Sequence, residues 1–461
     1  MTTDCLTQPV RPIRRVLVAN RGEIAVRIQR ACRELGIETV QVYSEADRDS
    51  MAVQNADFAV CIGPARSSES YLRADAVVAA ARALRADAIH PGYGFLSENA
   101  AFARLCEQEG ITFIGPTADV IATMGDKASA RATAGAAGVP VTPGSNGTIA
   151  SAAGAREVAA RLGYPVILKA VAGGGGRGMR IVEAQADLEG HFNAAVREAK
   201  AAFGDGTMYV EKYLSGIRHV EIQILADGET VLHLGERDCS SQRRNQKLIE
   251  ESPSPGLSAG MREAMGAAAV RLCRHVGYRS AGTIECIVDP ARDVFYFMEM
   301  NTRVQVEHPV TECVTGIDIV KEQIRIAGGE KLTLSQSDVH LTGHAIECRI
   351  NAEDPARGFA PCPGTLGEVR FPGGPGIRVD SHVHSGAVVP PYYDSLIAKI
   401  IAWGRDRDEA LARMCRALAE LRVDGVATTA PFIARLIESD AFRRGAVHTR
   451  FVEQFIQEST L

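Results

Sequence analysis

The chain has 461 residues, of which 46% are hydrophobic and 23% are charged. These values are those of an ordinary globular protein, so they exclude a fibrous repeat and wholesale disorder, and the length predicts about two to four domains. The 51 basic and 56 acidic side chains nearly balance, which argues against a protein that coats nucleic acid or binds membranes through a polybasic surface.

The 11 cysteines are scattered and show no CxxC or zinc-ligand spacing. This pattern is typical of free thiols in a reducing compartment rather than of a disulfide framework. The N-terminal residues lack the layout of a signal peptide, and no apolar run approaches the roughly 18 residues that span a bilayer. We therefore expect a cytoplasmic protein with neither a membrane nor a nucleic-acid partner.

The first third of the chain alternates between strand-like and helix-like segments. The predicted strands are residues 16–19, 38–42, 58–62, 88–90 and 112–114. A helix with apolar residues at helical spacing follows the first strand, a long helix is expected at 71–86, and another begins near Ser97. The alternation predicts a parallel, Rossmann-like sheet. Its first turn after a strand, residues 19–23, lacks the GxGxxG motif of dinucleotide-binding folds.

The middle of the chain changes character after about residue 126. Residues 127–160 are rich in Ala and Gly, and a strand-like segment at 164–169 leads into the glycine run 173–178, which predicts a mobile small subdomain. Two hairpins follow, one from 220–226 to 230–234 and one from 283–289 to 294–301. This part is therefore expected to be of the α+β class.

Beyond about residue 340 the sequence predicts Gly- and Pro-rich strands and one amphipathic helix at 409–421. The apolar side of that helix consists of Leu411, Met414, Cys415, Leu418 and Leu421. No internal repeat and no low-complexity linker is present.

The glycine run is the first candidate for chemistry. A loop without Cβ atoms lets backbone N–H groups surround polyphosphate oxygens, and Lys169 and Arg177 would supply positive charge. No Gly-Lys-Ser or Gly-Lys-Thr follows the run, so it is not a P-loop, and the lysine would approach from the preceding strand. A flexible surface loop explains the glycines equally well.

The second candidate is the alternating segment 299–307. On an extended backbone its odd positions, Glu299, Asn301, Arg303, Gln305 and Glu307, point to one side. The hairpin turn places Glu285 opposite Glu299, and two carboxylates with an amide oxygen suit Mg²⁺.

The alternative for this segment is an edge strand with its polar side in water. The flanking apolar residues favour burial, where such charges need a cation or ligand. Those residues are Phe295, Phe297, Met298 and Met300.

Three further segments carry weaker signals. Four cations within residues 236–247 indicate either anion binding or a solvated charge run, and we treat Cys239 there as structural. Residues 90–99 end a strand at the edge where α/β sheets bind ligands, although their Gly and Pro residues also suit a simple turn. Arg349 is either an anion or enolate stabiliser or a structural salt-bridge partner.

Taken together, these segments resemble the biotin carboxylases, the ATP-grasp component of biotin-dependent carboxylases, from about Arg14 to the C-terminal helices. The motifs that carry the resemblance are residues 19–25, 90–99, 164–179, 218–223, 298–309 and 390–395. The resemblance implies an α/β and α+β fold with a Rossmann-like N-terminal domain at 12–125, an ATP-grasp domain at 126–335 and a mixed β/α C-terminal domain at 340–455. A lid subdomain at about 140–215 would close over ATP.

The resemblance also assigns roles to individual residues. The expected ATP-binding residues are Lys127, Lys169, Gly174, Gly175, Glu211, Lys212, Leu214, His219 and Gln242. The expected ligands of two Mg²⁺ or Mn²⁺ ions are Glu285, Glu299 and Asn301. Bicarbonate would be held by Arg303, Gln305 and the Val306 backbone, with Glu307 as the base. Lys247 would stabilise carboxyphosphate, and Arg349 would face the ureido oxygen of biotin.

The implied reaction is an ATP-dependent carboxylation of biotin through carboxyphosphate. We find no biotinylation motif and no carboxyltransferase-length extension, so a separate biotin carboxyl carrier protein and carboxyltransferase subunits are expected as partners, with acetyl-CoA or another acyl-CoA as the final acceptor. If acetyl-CoA is that acceptor, the enzyme serves fatty acid synthesis. Family members are typically homodimers.

Three departures from the family pattern concern the nucleotide site and the N-terminus. Ala172 replaces the first of five glycines, Asn245 stands where a histidine is usual, and about 11 residues precede the usual start. The alternatives to the family function are another ATP-grasp ligase that joins a carboxylate to an amine, and an ATP-sensing scaffold without activity. The segment 303–307 favours bicarbonate as substrate.

Overall fold

The computed structural model describes residues 12–145, 147–171 and 178–458. Gly174, Gly175, Arg177 and Ala172 lie outside the described residues, so the predictions for the glycine run have no structural counterpart here. Among the described residues, every helix falls short of the length and apolar content that a bilayer crossing requires. The ten described cysteines are all free thiols.

The N-terminal part is a five-stranded parallel sheet, as the sequence predicted. Its strands are β1 (Arg15–Val18), β2 (Glu38–Ser44), β3 (Phe58–Gly63), β4 (Ala88–His90) and β5 (Thr112–Phe113). They are ordered β3-β2-β1-β4-β5 and all neighbours are parallel. Because every connection crosses over the sheet, the carboxyl ends of the strands share one edge.

Helices cover both faces of this sheet. They are α1 (Gly22–Glu34), α2 (Met51–Asn55), α3 (Ala74–Ala83), α4 (Ala100–Gln108) and α5 (Ala118–Gly125). The prediction of a helix cap near Ser97 was two residues early, because the cap of α4 is Asn99. The Asn99 side chain accepts a hydrogen bond from the Phe102 N–H at 2.9 Å and caps the helix, whereas Ser97 is buried in the preceding turn.

A small three-stranded sheet follows the helix α6 (Lys127–Ala136). The small sheet contains β6 (Val166–Ala170), β7 (Met179–Val182) and β8 (Met208–Lys212) in the order β7-β6-β8. The helices α7 (Ala152–Leu162) and α8 (Leu188–Phe203) pack on it and form a core that is separate from the others. Lys169 on β6 pairs with Met179 on β7.

An eight-stranded sheet forms the rest of the framework. Its strands are β9 (Arg218–Asp227), β10 (Val231–Arg243), β11 (Gln246–Ser252), β12 (Arg279–Asp289), β13 (Val294–Asn301), β14 (His344–Asn351), β19 (Ile377–Ser381) and β21 (Leu396–Gly404). Their order is β13-β12-β9-β10-β11-β14-β21-β19. Both predicted hairpins are confirmed, since β9 pairs with β10 and β12 pairs with β13.

The eight-stranded sheet crosses the boundary that the sequence placed near residue 340, because β11 pairs with β14. The division into domains at 12–125, 126–335 and 340–455 therefore stays a prediction. Short strands complete the C-terminal part in the pairs β15 (Glu353–Asp354) with β16 (Ala360–Pro361), β17 (Gly364–Thr365) with β20 (Val388–Val389), and β18 (Val369–Arg370) with β22 (Arg422–Val423).

The remaining helices pack against this large sheet. They are α9 (Ala259–His275), α10 (His308–Thr315), α11 (Ile319–Ala327), α12 (Arg407–Glu420), α13 (Ala430–Glu438), α14 (Asp440–Arg443) and α15 (Phe451–Glu458). The predicted amphipathic helix is α12, and its residues Leu411, Met414 and Leu418 lie in the core as expected. Cys415 and Leu421 pack at the border of that core.

Candidate active site

One large cavity of about 1050 Å³ lies where the three sheets meet. The N-terminal part contributes Glu23 from the start of α1 and Tyr93 from the turn that follows β4. The small sheet contributes Lys169 and Glu211, and the large sheet contributes most of the remaining wall. Edges where strands end leave side chains free to point into a common space, which is why ligand sites occur there.

The pair formed by Glu285 and Glu299 is present as the hairpin predicted. Glu285 on β12 stands directly opposite Glu299 on β13. The next pair is Cys286 with Phe297, so Met298 is the extra residue of a β-bulge. The bulge turns Met298 out of the core into the cavity wall, where it is 40% exposed. The prediction of a largely buried strand is therefore confirmed at Phe295, Phe297 and Met300 and wrong at Met298.

The alternating segment is not one continuous strand. β13 ends at Asn301, residues 302–307 form a bend and a turn, and α10 begins at His308. The Thr302 N–H donates to Glu98 at 3.0 Å instead of continuing the sheet. The prediction that the backbone stays extended up to Glu307 was wrong, because the strand ends at Asn301.

The side chains of this segment converge nevertheless. The cavity is lined by Glu299, Asn301, Arg303, Gln305, Val306 and Glu307. The intervening apolar residues Met300 and Val304 are 4% and 0% exposed, so they anchor the segment in the core while the polar side chains face the cavity.

Glu285 and Glu299 differ in their surroundings. Glu285 is bound by Lys247 at 3.0 Å, by Gln305 at 2.8 Å, and lies 3.0 Å from His219 Nε2. Burial opposes ionisation of Glu285, but Lys247 and His219 outweigh it and lower the pKa of that carboxyl well below its ordinary value. Glu299 has a raised pKa, because of burial and because the Glu285 charge lies near, while Lys127 counteracts part of the rise.

This donor set fits a divalent cation of the magnesium type. Two carboxylates and an amide oxygen are hard ligands, and a cation would relieve the repulsion that raises the pKa of Glu299. Asn301 Oδ1 accepts a hydrogen bond from Arg303 at 2.9 Å. The buried Asn301 Nδ2 atom has no hydrogen-bond partner among the described residues, so the amide is held at its oxygen and not at its nitrogen.

Lys247 lies among three carboxylates. Its Nζ atom is 2.7 Å from Glu221, 3.0 Å from Glu285 and 2.5 Å from Glu307. Burial alone would lower the pKa of Lys247, but these charges raise it well above its ordinary value. The ammonium group is therefore positively charged, and it forms charge-assisted hydrogen bonds with the three carboxylates.

Glu307 and Arg349 form the opposite side of this cluster. Arg349 lies 2.9 Å from Glu307 and 2.5 Å from Glu250. Burial opposes ionisation of Glu307, but Lys247 and Arg349 outweigh it and hold its pKa below the ordinary value. Arg349 is thus a salt-bridge partner, as one of the two interpretations held, and it also lines the cavity.

The basic segment 236–247 proves to be a hairpin whose cations have separate surroundings. Arg237 is completely buried beneath the cavity floor, bonded to Glu221 at 2.5 Å and to Gln305 at 2.9 Å. Arg243 stacks on the Phe359 ring at 4.2 Å. Of the four cations in that segment, Lys247 alone belongs to the cavity lining.

The candidate nucleotide residues are divided between the two sheets, with Lys169, Glu211 and Lys212 on the small sheet and His219 and Gln242 on the large sheet. Lys169 is 2.5 Å from Glu211, which also lies 3.1 Å from Arg131. Lys212 donates to the carbonyl of Gly163 at 3.0 Å. Leu214, His219 and Gln242 line the cavity with them. Lys127 begins α6 and is outside the lining, although its charge acts on Glu299.

Three family models match consecutive parts of the chain. "Biotin carboxylase, N-terminal domain" matches residues 12–121, "Carbamoyl-phosphate synthase L chain, ATP binding domain" matches 126–335, and "Biotin carboxylase C-terminal domain" matches 347–454. Biotin carboxylase 1 of Bacillus subtilis is 56% identical over 445 residues, which cover 96% of this chain and 99% of that protein. The chain belongs to the biotin carboxylase family.

Solved structures of biotin carboxylases share the whole fold. The Campylobacter jejuni biotin carboxylase in a β-γ-ATP complex superposes with a TM-score of 0.91 at 48% identity and covers 96% of this chain and 99% of its own. The biotin carboxylase domain dimer of Hydrogenobacter thermophilus 2-oxoglutarate carboxylase, with MgADP, ADP and bicarbonate, has a TM-score of 0.90 at 50% identity and covers 96% and 97%. The fold is that of ATP-grasp biotin carboxylases, and the chain is a ligase of this class.

One departure from the biotin carboxylase pattern has a local reason. Arg244 and Asn245 form the two-residue turn between β10 and β11, with φ of 46° and 66°. Asparagine tolerates this left-handed region better than most residues. Asn245 also lines the cavity, so the substitution satisfies the turn and still places a polar side chain at the site.

Two polar residues that bind side chains of the biotin carboxylase cavity escaped the sequence reasoning. Glu98 binds Arg303 at 2.8 Å and lies in the segment 90–99 that was already suspected. Glu221 sits in the motif 218–223 and binds both Lys247 and Arg237. Strand alternation gave no signal for Glu221, because both faces of β9 are buried.

Proposed function

We propose that this biotin carboxylase activates bicarbonate with ATP on the wall formed by the end of β13 and the turn 302–307, and transfers the carboxyl group to biotin on the opposite side of the same cavity. The observation that carries this proposal is the convergence of Glu285, Glu299 and Asn301 with Arg303 and Glu307 on one wall. ATP-dependent carboxylation needs a metal-bound phosphate, a held bicarbonate and a base within reach of one another.

Glu285, Glu299 and Asn301 would hold two Mg²⁺ or Mn²⁺ ions. Bound metal neutralises charge on the transferring phosphoryl group. The residues themselves supply oxygen ligands from two neighbouring strands, with Glu285 directly opposite Glu299. His219 and Lys247 now neutralise Glu285, and a metal would take over this role.

Arg303, Gln305 and the Val306 backbone would bind bicarbonate, and Glu307 would remove its proton. Arg303 is held by Glu98 at 2.8 Å, which keeps the planar guanidinium group in place to bind an anion through two N–H groups. The bicarbonate oxygen then attacks the γ-phosphorus of ATP, ADP leaves, and carboxyphosphate forms. Its charge would be stabilised by Lys247.

Arg349 would complete the reaction on the biotin side. Carboxyphosphate separates into CO₂ and phosphate, and the released phosphate takes the N1 proton of biotin. Negative charge then develops on the ureido oxygen, which Arg349 would stabilise through its N–H groups. N1 attacks the CO₂ carbon, and the charge moves to the new carboxylate. Glu250 binds Arg349 at 2.5 Å and would keep it oriented when Glu307 turns to bicarbonate.

ATP would lie between the small sheet and the large sheet. Lys127 and Lys169, together with Gly174 and Gly175, would bind its phosphates, and the adenine would contact Glu211, Lys212, Leu214, His219 and Gln242. Support comes from the cavity position of Lys169, Glu211 and Leu214. We expect residues 140–215 to close over the nucleotide and exclude water from the hydrolysable intermediate.

The partners would be a biotin carboxyl carrier protein and carboxyltransferase subunits, and the enzyme would act as a homodimer in the cytoplasm. The Hydrogenobacter relative is described as a dimer, and the ten free thiols fit a reducing compartment. That relative serves 2-oxoglutarate, so the acceptor is set outside this chain. We propose an acyl-CoA, with acetyl-CoA and hence fatty acid synthesis as the leading case.

The proposed function is tested with radiolabelled bicarbonate. ATP, Mg²⁺, [¹⁴C]bicarbonate and free biotin are expected to give acid-labile labelled biotin and one ADP per label. A rate of ATP cleavage that depends on an amine acceptor and does not change when biotin is added would contradict the proposal and favour a carboxylate-amine ligase. Purification of the protein with its natural carrier and transferase, followed by assays with acetyl-CoA, propionyl-CoA and pyruvate, would identify the acceptor.

A further inference from the structure

A buried lysine connects three parts of the molecule behind the cavity wall. Lys399 lies in the middle of β21 and is 0% exposed. Its Nζ atom donates to the backbone carbonyl of Val306 at 2.8 Å and lies 3.0 Å from Glu23 Oε1. Asp380 on β19 stands opposite Lys399 in the sheet, with its nearest oxygen 3.9 Å from Nζ.

Lys399 carries a positive charge although its side chain is completely buried. Burial of an ammonium group is unfavourable unless hydrogen bonds and opposite charges offset the lost hydration. Burial would lower the pKa of Lys399, but Glu23 and other carboxylates outweigh it and raise that pKa. An apolar side chain of similar length would fill the same space without this cost, but it could not bind a carbonyl and a carboxylate at once.

The first contact of Lys399 acts on the turn that carries the proposed bicarbonate site. The Val306 carbonyl belongs to the peptide unit that joins Val306 to Glu307. This unit is planar and trans, so a hydrogen bond to its oxygen also fixes the direction of the Glu307 N–H. Glu307 is the residue that precedes the first turn of α10, where few backbone bonds hold the chain.

The second contact of Lys399 reaches another wall of the cavity. Glu23, in the first turn of α1, is 3% exposed and accepts a hydrogen bond from the Tyr93 hydroxyl. Both Glu23 and Tyr93 line the cavity. The chain of contacts from Tyr93 through Glu23 and Lys399 to Val306 therefore links the N-terminal sheet to the turn 302–307.

We propose that Lys399 is a positioning residue for carboxylation, which fixes the Val306 to Glu307 peptide unit against bicarbonate and is itself held by Glu23. Lys399 does not touch the substrate, because Val306 stands between its ammonium group and the cavity. The inference rests on the proposed bicarbonate site. It predicts a defect specific for bicarbonate and not for ATP.

The test compares steady-state kinetics of the full-length Lys399→Met variant with those of the wild-type enzyme. The KM for bicarbonate is expected to rise about tenfold or more and kcat to fall, while the KM for ATP stays within about twofold. Glu23→Gln should change the same parameters in the same direction and by less, because the ammonium group keeps its bond to Val306. A purely structural defect would reduce the active fraction, and hence kcat, without changing either KM.

Arg407→Met is the matched control. Arg407 forms a buried ion pair with Glu251 at 2.7 Å, and neither residue lines the cavity. This variant should lose stability as Lys399→Met does but keep the wild-type KM for bicarbonate. If Lys399→Met does not fold, the double variant Glu23→Gln/Lys399→Met, which leaves no unpaired charge at Glu23, is measured instead with the same expectation.

An Arg303→Gln variant distinguishes an error in the role of Lys399 from an error in the proposed bicarbonate site. A raised bicarbonate KM in Arg303→Gln together with a normal one in the Lys399 variant would overturn the role of Lys399 alone. A normal bicarbonate KM in Arg303→Gln would overturn the proposed bicarbonate site and the inference with it. Raised values in both variants, with a normal KM for ATP, support the inference.

Discussion

Lys247 Nζ lies 2.5 Å from Glu307 Oε1, so the proposed stabiliser of carboxyphosphate and the proposed base form an ion pair with each other. The ion pair stabilises the charged carboxylate of Glu307 in a buried position, where an unpaired charge would have an unfavourable free energy. If these roles hold, we expect bicarbonate and the γ-phosphate to separate the pair and so make the carboxylate of Glu307 available as a base.

Glu307→Gln is expected to remove the base and keep the shape of the site. Bicarbonate-dependent ATP cleavage should fall roughly 100- to 10,000-fold, because an amide cannot take the bicarbonate proton. The KM for ATP should stay within about twofold of the wild type. Steady-state ADP release checks this, and turnover near the wild-type rate would show that Glu307 is not the base.

Glu299→Gln is expected to abolish ATP turnover by removing a metal ligand. Any turnover that additional Mg²⁺ restores should require a half-maximal Mg²⁺ concentration more than about tenfold above that of the wild type. Glu98→Gln is the control, since Glu98 binds Arg303 and the Thr302 backbone; it should change the bicarbonate dependence and leave the Mg²⁺ dependence unaltered. Wild-type turnover in Glu299→Gln would refute the metal role.

The pairing of Glu285 with Glu299 was predictable from the sequence, because a hairpin is a local structure. The turn after Asp289 and the alternation of β12 and β13 fix which residues stand opposite each other, and Glu285 with Glu299 followed from them. The bulge at Met298 did not follow, since one unpaired residue leaves little trace in an alternating pattern.

The turn 302–307 was misread for a related reason. Val304 is buried whether the backbone is extended or bent, so the alternation alone does not distinguish the two. The Pro309 in the first turn of α10 is a helix-start signal that would have placed the end of the strand earlier. The contacts of Lys399 with Glu23 and Val306 join residues far apart in the chain, and no local pattern predicts such contacts.

Glu347 is expected to make the stability of the protein fall as pH rises. It is 0% exposed and stands opposite Glu250 in the sheet. Burial raises the pKa of Glu347 well above its ordinary value of 4.5, Glu250 adds to the rise, and Lys399 opposes it. Above about pH 4.5 the unfolded chain therefore binds fewer protons than the folded protein at this residue, so the free energy of unfolding decreases with pH up to the folded pKa.

Glu347→Gln removes this dependence. The stability of the variant relative to the wild type should increase between pH 5 and pH 8 by up to about 1.4 kcal/mol per pH unit. Urea denaturation at the two pH values measures it, and Glu420→Gln, at an exposed helix position paired with Arg416, serves as control. A difference between Glu347→Gln and wild type that does not vary with pH would contradict a protonated Glu347.

ATP is expected to protect residues 140–215 from proteolysis. The small sheet has its own core, so it can move as a unit, and nucleotide held by Lys169 and Glu211 would bind it to the large sheet. Limited digestion with and without ATP and Mg²⁺, followed by mass spectrometry of the fragments, measures this. Cleavage within 140–215 at equal rates in both conditions would rule out closure.

The transfer of oxygen from [¹⁸O]bicarbonate to phosphate tests most directly whether one cavity wall brings bicarbonate to the γ-phosphate. If bicarbonate attacks phosphorus, each phosphate released during biotin carboxylation retains one bicarbonate oxygen, and mass spectrometry of the phosphate should find one ¹⁸O atom per molecule. Phosphate that carries oxygen from water instead would show that ATP is hydrolysed without carboxyphosphate, and the arrangement of Arg303, Glu307 and Lys247 would then need another explanation.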